Sequence, residues 1–162
     1  MATIARRAGM STSSVYYHFR SKDTILLELL DRAAEGLREA LEAVTPGETA
    51  RRVADAYVAW MLPDPRRAVL LLGAGVGGTA DVEACRRRHN VALTRTVACL
   101  LRLDHKDGAE SVGALVEATA LIGLFGELAR AYLRDGLPEA DLLPTAERLI
   151  ARLLPRNTAS AG

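Results

Sequence analysis

Cysteine and aromatic residues are scarce in this 162-residue sequence, which holds two cysteines and only 4% Phe, Trp and Tyr. If one helix carries Cys85 and Cys99, they lie about 21 Å apart, too far for an intrachain disulfide. We therefore expect free thiols in a cytoplasmic protein. The sequence has no Cys-x-x-Cys pair and no evident cysteine–histidine cluster, so it predicts neither a zinc site nor another cofactor.

Long apolar runs are also missing. The longest uncharged run, residues 68–80, has 13 residues and includes four glycines, so it is too short to span a bilayer. The first residues include arginines but no apolar stretch of the kind that signal peptides carry. We therefore expect no membrane partner.

Charge is nearly balanced overall but unevenly distributed. The net charge is +1, yet residues 1–22 contain Arg6, Arg7, Arg20 and Lys22 and no acidic residue. The rest of the chain therefore carries a net charge of −3. A basic end on a mildly acidic body is a charge pattern found in nucleic-acid-binding proteins.

Apolar residues recur every three or four positions along most of the chain, which predicts an all-α fold. Ser11 and Ser21 precede two of these segments as candidate N-caps, and Gly136 follows another as its end. No strand or hairpin pattern is present. The predicted helices cover residues 4–8, 12–19, 22–44, 46–62, 65–72, 81–103, 108–134 and about 141–154.

The first two short helices have the steric pattern of a helix-turn-helix. Ala5 is small where the two helices must approach, Gly9 supplies the positive φ of the turn, and Val15 packs the second helix on the first. The outer face of the second helix is polar and aromatic, which suits a major groove. The candidate DNA-binding residues are Thr12, Ser13, Ser14, Tyr16, Tyr17, His18 and Lys22.

The residue string strengthens this interpretation. Ile-Ala-x-x-Ala-Gly-Met-Ser from Ile4, then Val-Tyr-Tyr-His-Phe from Val15, then Ser21-Lys22 and a long helix, closely resembles the DNA-binding end of the TetR family of repressors. The resemblance implies a cytoplasmic homodimer, a regulator rather than an enzyme, that binds double-stranded operator DNA. It also implies that a small-molecule effector releases the protein from DNA.

These observations divide the chain into three predicted parts. Residues 1–22 form the helix-turn-helix segment. We expect it to be incomplete, because members of the family carry one further helix before this motif and Met1 stands where their second helix begins. Residues 23–154 form the helical body for effector binding and dimerisation, and residues 155–162 form a flexible tail.

Two sets of residues in the body are assigned from the apolar pattern and the resemblance. We expect a mostly apolar cavity, and therefore a lipophilic effector, between helices 46–62, 81–103 and 108–134. Its predicted lining is Tyr57, Trp60, Met61, His89, Leu93, Thr96 and Phe125. The predicted dimer interface on the last two helices is Leu121, Leu124, Leu128, Leu149, Ile150 and Leu153.

A second interpretation stays open for the glycine-rich stretch from Gly73 to Gly78, which fits the Gly-x-Gly-x-x-Gly pattern of dinucleotide-binding enzymes. It requires strands at residues 69–72 and 97–103, with Asp104 as the acid that binds the ribose. In the preferred interpretation these glycines form a flexible connection. His89 has no carboxylate or second histidine three or four residues away, so we predict a core or pocket residue rather than a metal ligand.

Overall fold

The computed structural model describes residues 1–45, 50–73, 78–101 and 111–153, and all regular structure within these ranges is α-helical. The predicted all-α fold is therefore confirmed. The helices in the described ranges are α1 (Ala2–Arg7), α2 (Thr12–His18), α3 (Lys22–Glu42), α4 (Ala50–Met61), α5 (Pro65–Leu72), α6 (Ala80–Leu100), α7 (Val112–Arg134) and α8 (Glu139–Leu153).

Side-chain caps fix several helix starts. The hydroxyl of Ser11 accepts a hydrogen bond from the Ser14 backbone N–H, and the Ser21 hydroxyl accepts from that of Thr24, as their sequence positions predict. Ser111 caps α7. The sequence suggests Asp107 and Glu110 as an acidic capping pair for this helix, and both lie outside the described residues. Thr45-Pro46-Gly47-Glu48 has the pattern of a capping box, and only Thr45 lies within the described residues.

One boundary shift concerns a proline. Helix α8 begins at Glu139, two residues before the expected start at Asp141, and the Asp141 N–H bonds to the Pro138 carbonyl. A start at Asp141 would place Pro144 in the first turn. With the start at Glu139, Pro144 is the sixth helical residue and lies beyond the first turn. Gly136 has φ +75°, which confirms that it ends α7.

Helix α7 lies against α5, α6 and α8. A Cβ at Gly126 would lie 2.9 Å from the Leu72 carbonyl oxygen, so a residue without a side chain is needed where α7 meets α5. The rings of Tyr57 and Phe125 stack at 4.2 Å, and the Tyr57 hydroxyl donates to the Phe125 carbonyl at 2.5 Å. These contacts join α4 and α5 to α7.

Among the described helices, α7 alone is long and apolar enough to cross a membrane by length and composition. Its buried residues, which include Leu121, Ile122 and Phe125, belong to the hydrophobic core. Packing inside the bundle therefore accounts for the apolar residues on its buried side.

The strands required by the dinucleotide-binding interpretation are absent from the described residues. Residues 69–72 belong to α5, and residues 97–100 belong to α6. No β-α-β unit therefore surrounds the glycines, of which those between residues 74 and 77 lie outside the described ranges.

Arg86 differs from its two arginine neighbours. The sequence suggests that Arg86, Arg87 and Arg88 form a solvated helix face, but only Arg87 and Arg88 are exposed. Arg86 is buried, donates to the Gly73 carbonyl at the end of α5, and pairs with Glu83. It thereby satisfies a carbonyl at a helix end that has lost its own helical partner.

Replacing Gly126 with alanine should destabilise the fold. The new methyl group would press on the Leu72 backbone, and overpacking of this kind costs about 1–3 kcal/mol. Gly123→Ala is the matched control, since Gly123 lies on the same helix with open space around it. It should leave stability unchanged or raise it by up to about 1 kcal/mol. Urea unfolding of both variants measures the difference, and equal effects would contradict the close approach.

Candidate functional site

The turn between α1 and α2 has the geometry that the spacing of Ala5, Gly9 and Val15 predicts. Gly9 adopts φ +65°, and the Met10 N–H bonds back to the Ala5 carbonyl at 2.9 Å. Ala5 and Val15 are the buried residues of their two helices. The two short helices therefore pack on each other through a small residue and a branched one.

The outer face of α2 is open to solvent. Tyr17 is 87% exposed and Tyr16 52% exposed, although aromatic side chains are usually buried. His18 is also exposed, and its ring meets the edge of Tyr17 with centroids 5.2 Å apart. All seven predicted DNA-binding residues lie on the exposed surface of residues 12–22.

The serines at the start of α2 already have hydrogen-bond partners. The Ser11 hydroxyl lies 3.0 Å from the hydroxyls of both Ser13 and Ser14. These groups hold the first turn of the helix. Tyr16, Tyr17 and His18 are therefore better placed than Ser13 or Ser14 to make new contacts.

Positive charge surrounds this face. Arg6, Arg7, Arg20 and Lys22 are all exposed, and the first acidic residue of the chain is Asp23. Lys22 is the first residue of α3, where unpaired backbone N–H groups also favour an anion. A phosphate backbone would therefore meet positive charge along this whole end of the molecule.

The predicted effector-binding residues fall into two groups. Tyr57, Met61 and Phe125 are fully buried, and Trp60 is buried beside them under the guanidinium of Arg67. Burial raises the pKa of the Tyr57 phenol far above its ordinary value, so the hydroxyl remains a neutral donor.

The second group lies in a groove between α3 and α6. His89, Leu93 and Thr96 line it from α6, and its volume is about 550 Å³, within the range of small-molecule sites. The wall on α3 was missed by the sequence analysis, because its charged residues resemble an ordinary solvated face. That wall consists of Asp31, Arg32, Ala34, Glu35, Gly36, Arg38 and Glu39.

Ion pairs order the charged rim of the groove. Arg38 pairs with Glu35 at 2.5 Å and also with Glu42, and Arg32 pairs with Glu28 at 2.8 Å. The hydrogen bond from Arg38 lowers the pKa of the Glu35 carboxyl. Of the predicted lining residues, Tyr57, Trp60, Met61 and Phe125 do not line this groove.

Three polar side chains meet at the wall of the groove. The His89 Nε2 atom lies 2.7 Å from the Asp31 Oδ1 atom, and the buried Cys85 thiol donates to the same oxygen at 3.6 Å. Burial and then the Asp31 charge raise the pKa of the Cys85 thiol. Cys85 precedes His89 by four residues and so shares its helix face. A pattern that counts only carboxylates and histidines around His89 overlooks this thiol.

The predicted dimer-interface residues also differ in their burial. Leu121, Leu128 and Ile150 are buried within the single chain, so they face its own core. Leu124 and Leu149 are half-buried, and Leu153 is exposed. From Val112 to Glu127, the exposed residues of α7 are instead mostly small or branched: Val112, Gly113, Val116, Thr119, Ala120 and Gly123, with Glu127.

Exposed polar and aromatic residues on the second helix, beside a basic flank, define a helix-turn-helix DNA-binding protein. Residues 1–29 match the family model described as bacterial regulatory proteins, tetR family. This match covers the first 29 of 162 residues and supports a TetR-family DNA-binding transcriptional regulator. Members of this family are regulators, not enzymes. No curated protein matches the chain.

Proposed function

We propose that the chain acts in the cytoplasm as a homodimeric repressor that leaves its operator when a small molecule binds. The observation that carries the proposal is the exposed face of α2, where Tyr16, Tyr17 and His18 point to solvent within an acid-free basic segment. Two adjacent exposed tyrosines contribute little to folding. They can instead bind a ligand that stacks on their rings or forms hydrogen bonds with their hydroxyls.

In this proposal α2 enters the major groove and α3 begins beside the phosphate backbone. Tyr16, Tyr17 and His18 contact base edges or the sugar-phosphate wall. Lys22 binds a phosphate, and Arg6, Arg7 and Arg20 add sequence-independent attraction. Thr12, Ser13 and Ser14 lie near the groove and chiefly hold the helix start.

Salt dependence of DNA binding tests the role of Lys22. Duplexes selected from a random pool supply the operator, and gel shifts at several salt concentrations give the slope of log affinity against log salt. Lys22→Ala should reduce this slope by about 0.9 for each bound protomer, because one phosphate contact is lost. Arg87→Ala removes an exposed cation from α6 and should leave the slope unchanged.

Selection that yields no preferred duplex, together with no salt-dependent binding, would refute the DNA-binding proposal. An equal loss of slope in Lys22→Ala and Arg87→Ala would show general attraction to positive charge and would remove Lys22 from the site.

The homodimer forms, in our proposal, through the exposed face of α7. Val112, Val116 and Ala120 present an apolar surface with little side-chain relief, which allows two helices to approach closely. Leu124 borders this face and is half-buried in the single chain. Isologous pairing would set two copies of α2 for half-sites about 34–36 Å apart.

Val116→Glu should shift the protein toward monomers. Val116 is 62% exposed, so the single chain tolerates the change, whereas two unpaired carboxylates would be buried in the dimer. Val91→Glu is the matched control on α6, where Val91 is 54% exposed. Sedimentation equilibrium should give a dissociation constant at least about tenfold higher for Val116→Glu alone. A monomeric wild type at micromolar concentration would contradict the dimer.

The effector site in this proposal is the groove between α3 and α6. Its floor includes Ala34, Gly36 and Leu93, and its rim is charged. This arrangement suits an amphipathic compound, with an apolar body and polar ends, better than a wholly lipophilic one. To act as an inducer, the compound must favour the state with low DNA affinity, and a preference of about 1–3 kcal/mol weakens DNA binding roughly 5–150-fold.

Trp60 is placed to report occupancy of the groove. Its Nε1 atom would lie 3.1 Å from a Cβ at Gly36, so the indole is directly behind the floor. Titration with amphipathic aromatic compounds should change Trp60 fluorescence to saturation and release DNA. Ala92→Phe fills the groove and should weaken binding of the compound at least about tenfold. Val91→Phe, at the preceding residue outside the groove lining, should not. Compounds that release DNA equally from both variants would place the effector site elsewhere.

A further inference from the structure

Three side chains with metal-ligand chemistry converge where α6 packs against α3. Cys85 and His89 lie one turn apart on α6, and Asp31 faces them from α3, 54 and 58 residues earlier in the chain. The ligand atoms of the three side chains all lie within 4.8 Å of one another. Such a cluster is compact enough for one ion to reach every member.

The separations are close to those of a tetrahedral zinc site. Bond lengths of about 2.0–2.3 Å to nitrogen, oxygen and sulfur place neighbouring ligand atoms roughly 3.3–3.6 Å apart. The Cys85 sulfur already lies 3.6 Å from Asp31 Oδ1. The 2.7 Å between His89 Nε2 and the same oxygen is a hydrogen-bond distance. It would open by about half an ångström as an ion replaced the shared proton.

The donor set favours one class of ion. A thiolate with an imidazole and a carboxylate suits Zn²⁺ and related transition metals, whereas Mg²⁺ and Ca²⁺ prefer oxygen ligands alone. Cys85 is buried, but the Asp31 side chain is 60% exposed and lines the groove. The site therefore has a closed side in the protein and an open side where water can complete the coordination.

We propose that Asp31, Cys85 and His89 form a Zn²⁺-class binding site that ties α3 to α6 at the wall of the groove. The two anionic ligands offset the charge of the ion, and the ion joins the helix that continues from the DNA-binding end to the helical body. The effect of the ion on DNA binding rests on the function proposed above. The binding of the ion to these three side chains does not depend on that function.

Cobalt titration of the full chain tests the site directly. Co²⁺ is the spectroscopic probe, since its visible bands report tetrahedral geometry and a thiolate adds a charge-transfer band in the near ultraviolet. One Co²⁺ should bind per chain, and Zn²⁺ should displace it. Asp31→Asn, Cys85→Ala and His89→Gln should each lower the affinity at least about 10–100-fold, the range already seen when only supporting partners of a metal ligand are lost.

Cys99→Ala is the matched control, because Cys99 is the other cysteine of α6 and is exposed. It should keep both the charge-transfer band and the affinity. Circular dichroism checks that each variant is folded, and His89→Gln, at a partly exposed position, remains informative if the buried Cys85→Ala variant does not fold. A wild type without the charge-transfer band, or a band that survives Cys85→Ala and disappears in Cys99→Ala, overturns the proposal.

Gel shifts then separate the site from the proposed function. Protein that binds no duplex either with or without Zn²⁺ refutes the repressor, whatever the cobalt spectra show. Saturating Zn²⁺ should change the DNA affinity of the wild type at least about fivefold and leave that of His89→Gln unchanged. Cobalt binding without any such change would keep the metal site and reject its regulatory role.

Discussion

The rest of the molecule depends on the continuity of helix α3. Its 21 residues span about 31 Å, and three residues separate it from the end of α2. Residues 22–29 have no fully buried side chain, whereas Leu30, Leu37 and Leu41 lie in the core. The helix-turn-helix is therefore joined to the body through a part of α3 that lies outside the core.

The two sides of helix α7 differ in how closely they are packed. One side packs so tightly that Gly126 has no room for a Cβ beside Leu72, while Gly123, three residues earlier, has open space. Tyr57 secures the same helix by stacking on Phe125 and donating to its carbonyl. The buried side is satisfied within the chain, and the opposite side exposes Val112, Val116 and Ala120 to solvent.

The groove and the core use different chemistry although they are neighbours. In the core, the one polar side-chain atom of Tyr57 bonds to a backbone carbonyl, so this hydroxyl needs no ligand to satisfy it. In the groove, charged side chains pair along α3, and Asp31 reaches across to His89. A ligand or ion entering between α3 and α6 would therefore contact the helix that carries the DNA-binding end, with Trp60 of the aromatic core directly behind Gly36.

The features that the sequence determined by itself are those that depend on interactions between residues close together in the chain. The periodic apolar residues, the Ser11 and Ser21 caps and the positive φ of Gly9 depend on residues within about four positions, so the helices and the turn could be predicted. Which face of a helix meets which neighbour depends on distant residues instead. Leu121 faces the chain's own core and Arg86 turns inward to a helix end, although neighbouring sequence suggests otherwise. Only tertiary packing brings Asp31 to Cys85 and His89, because the pairing of α3 with α6 joins residues more than fifty positions apart and no local pattern encodes that distance.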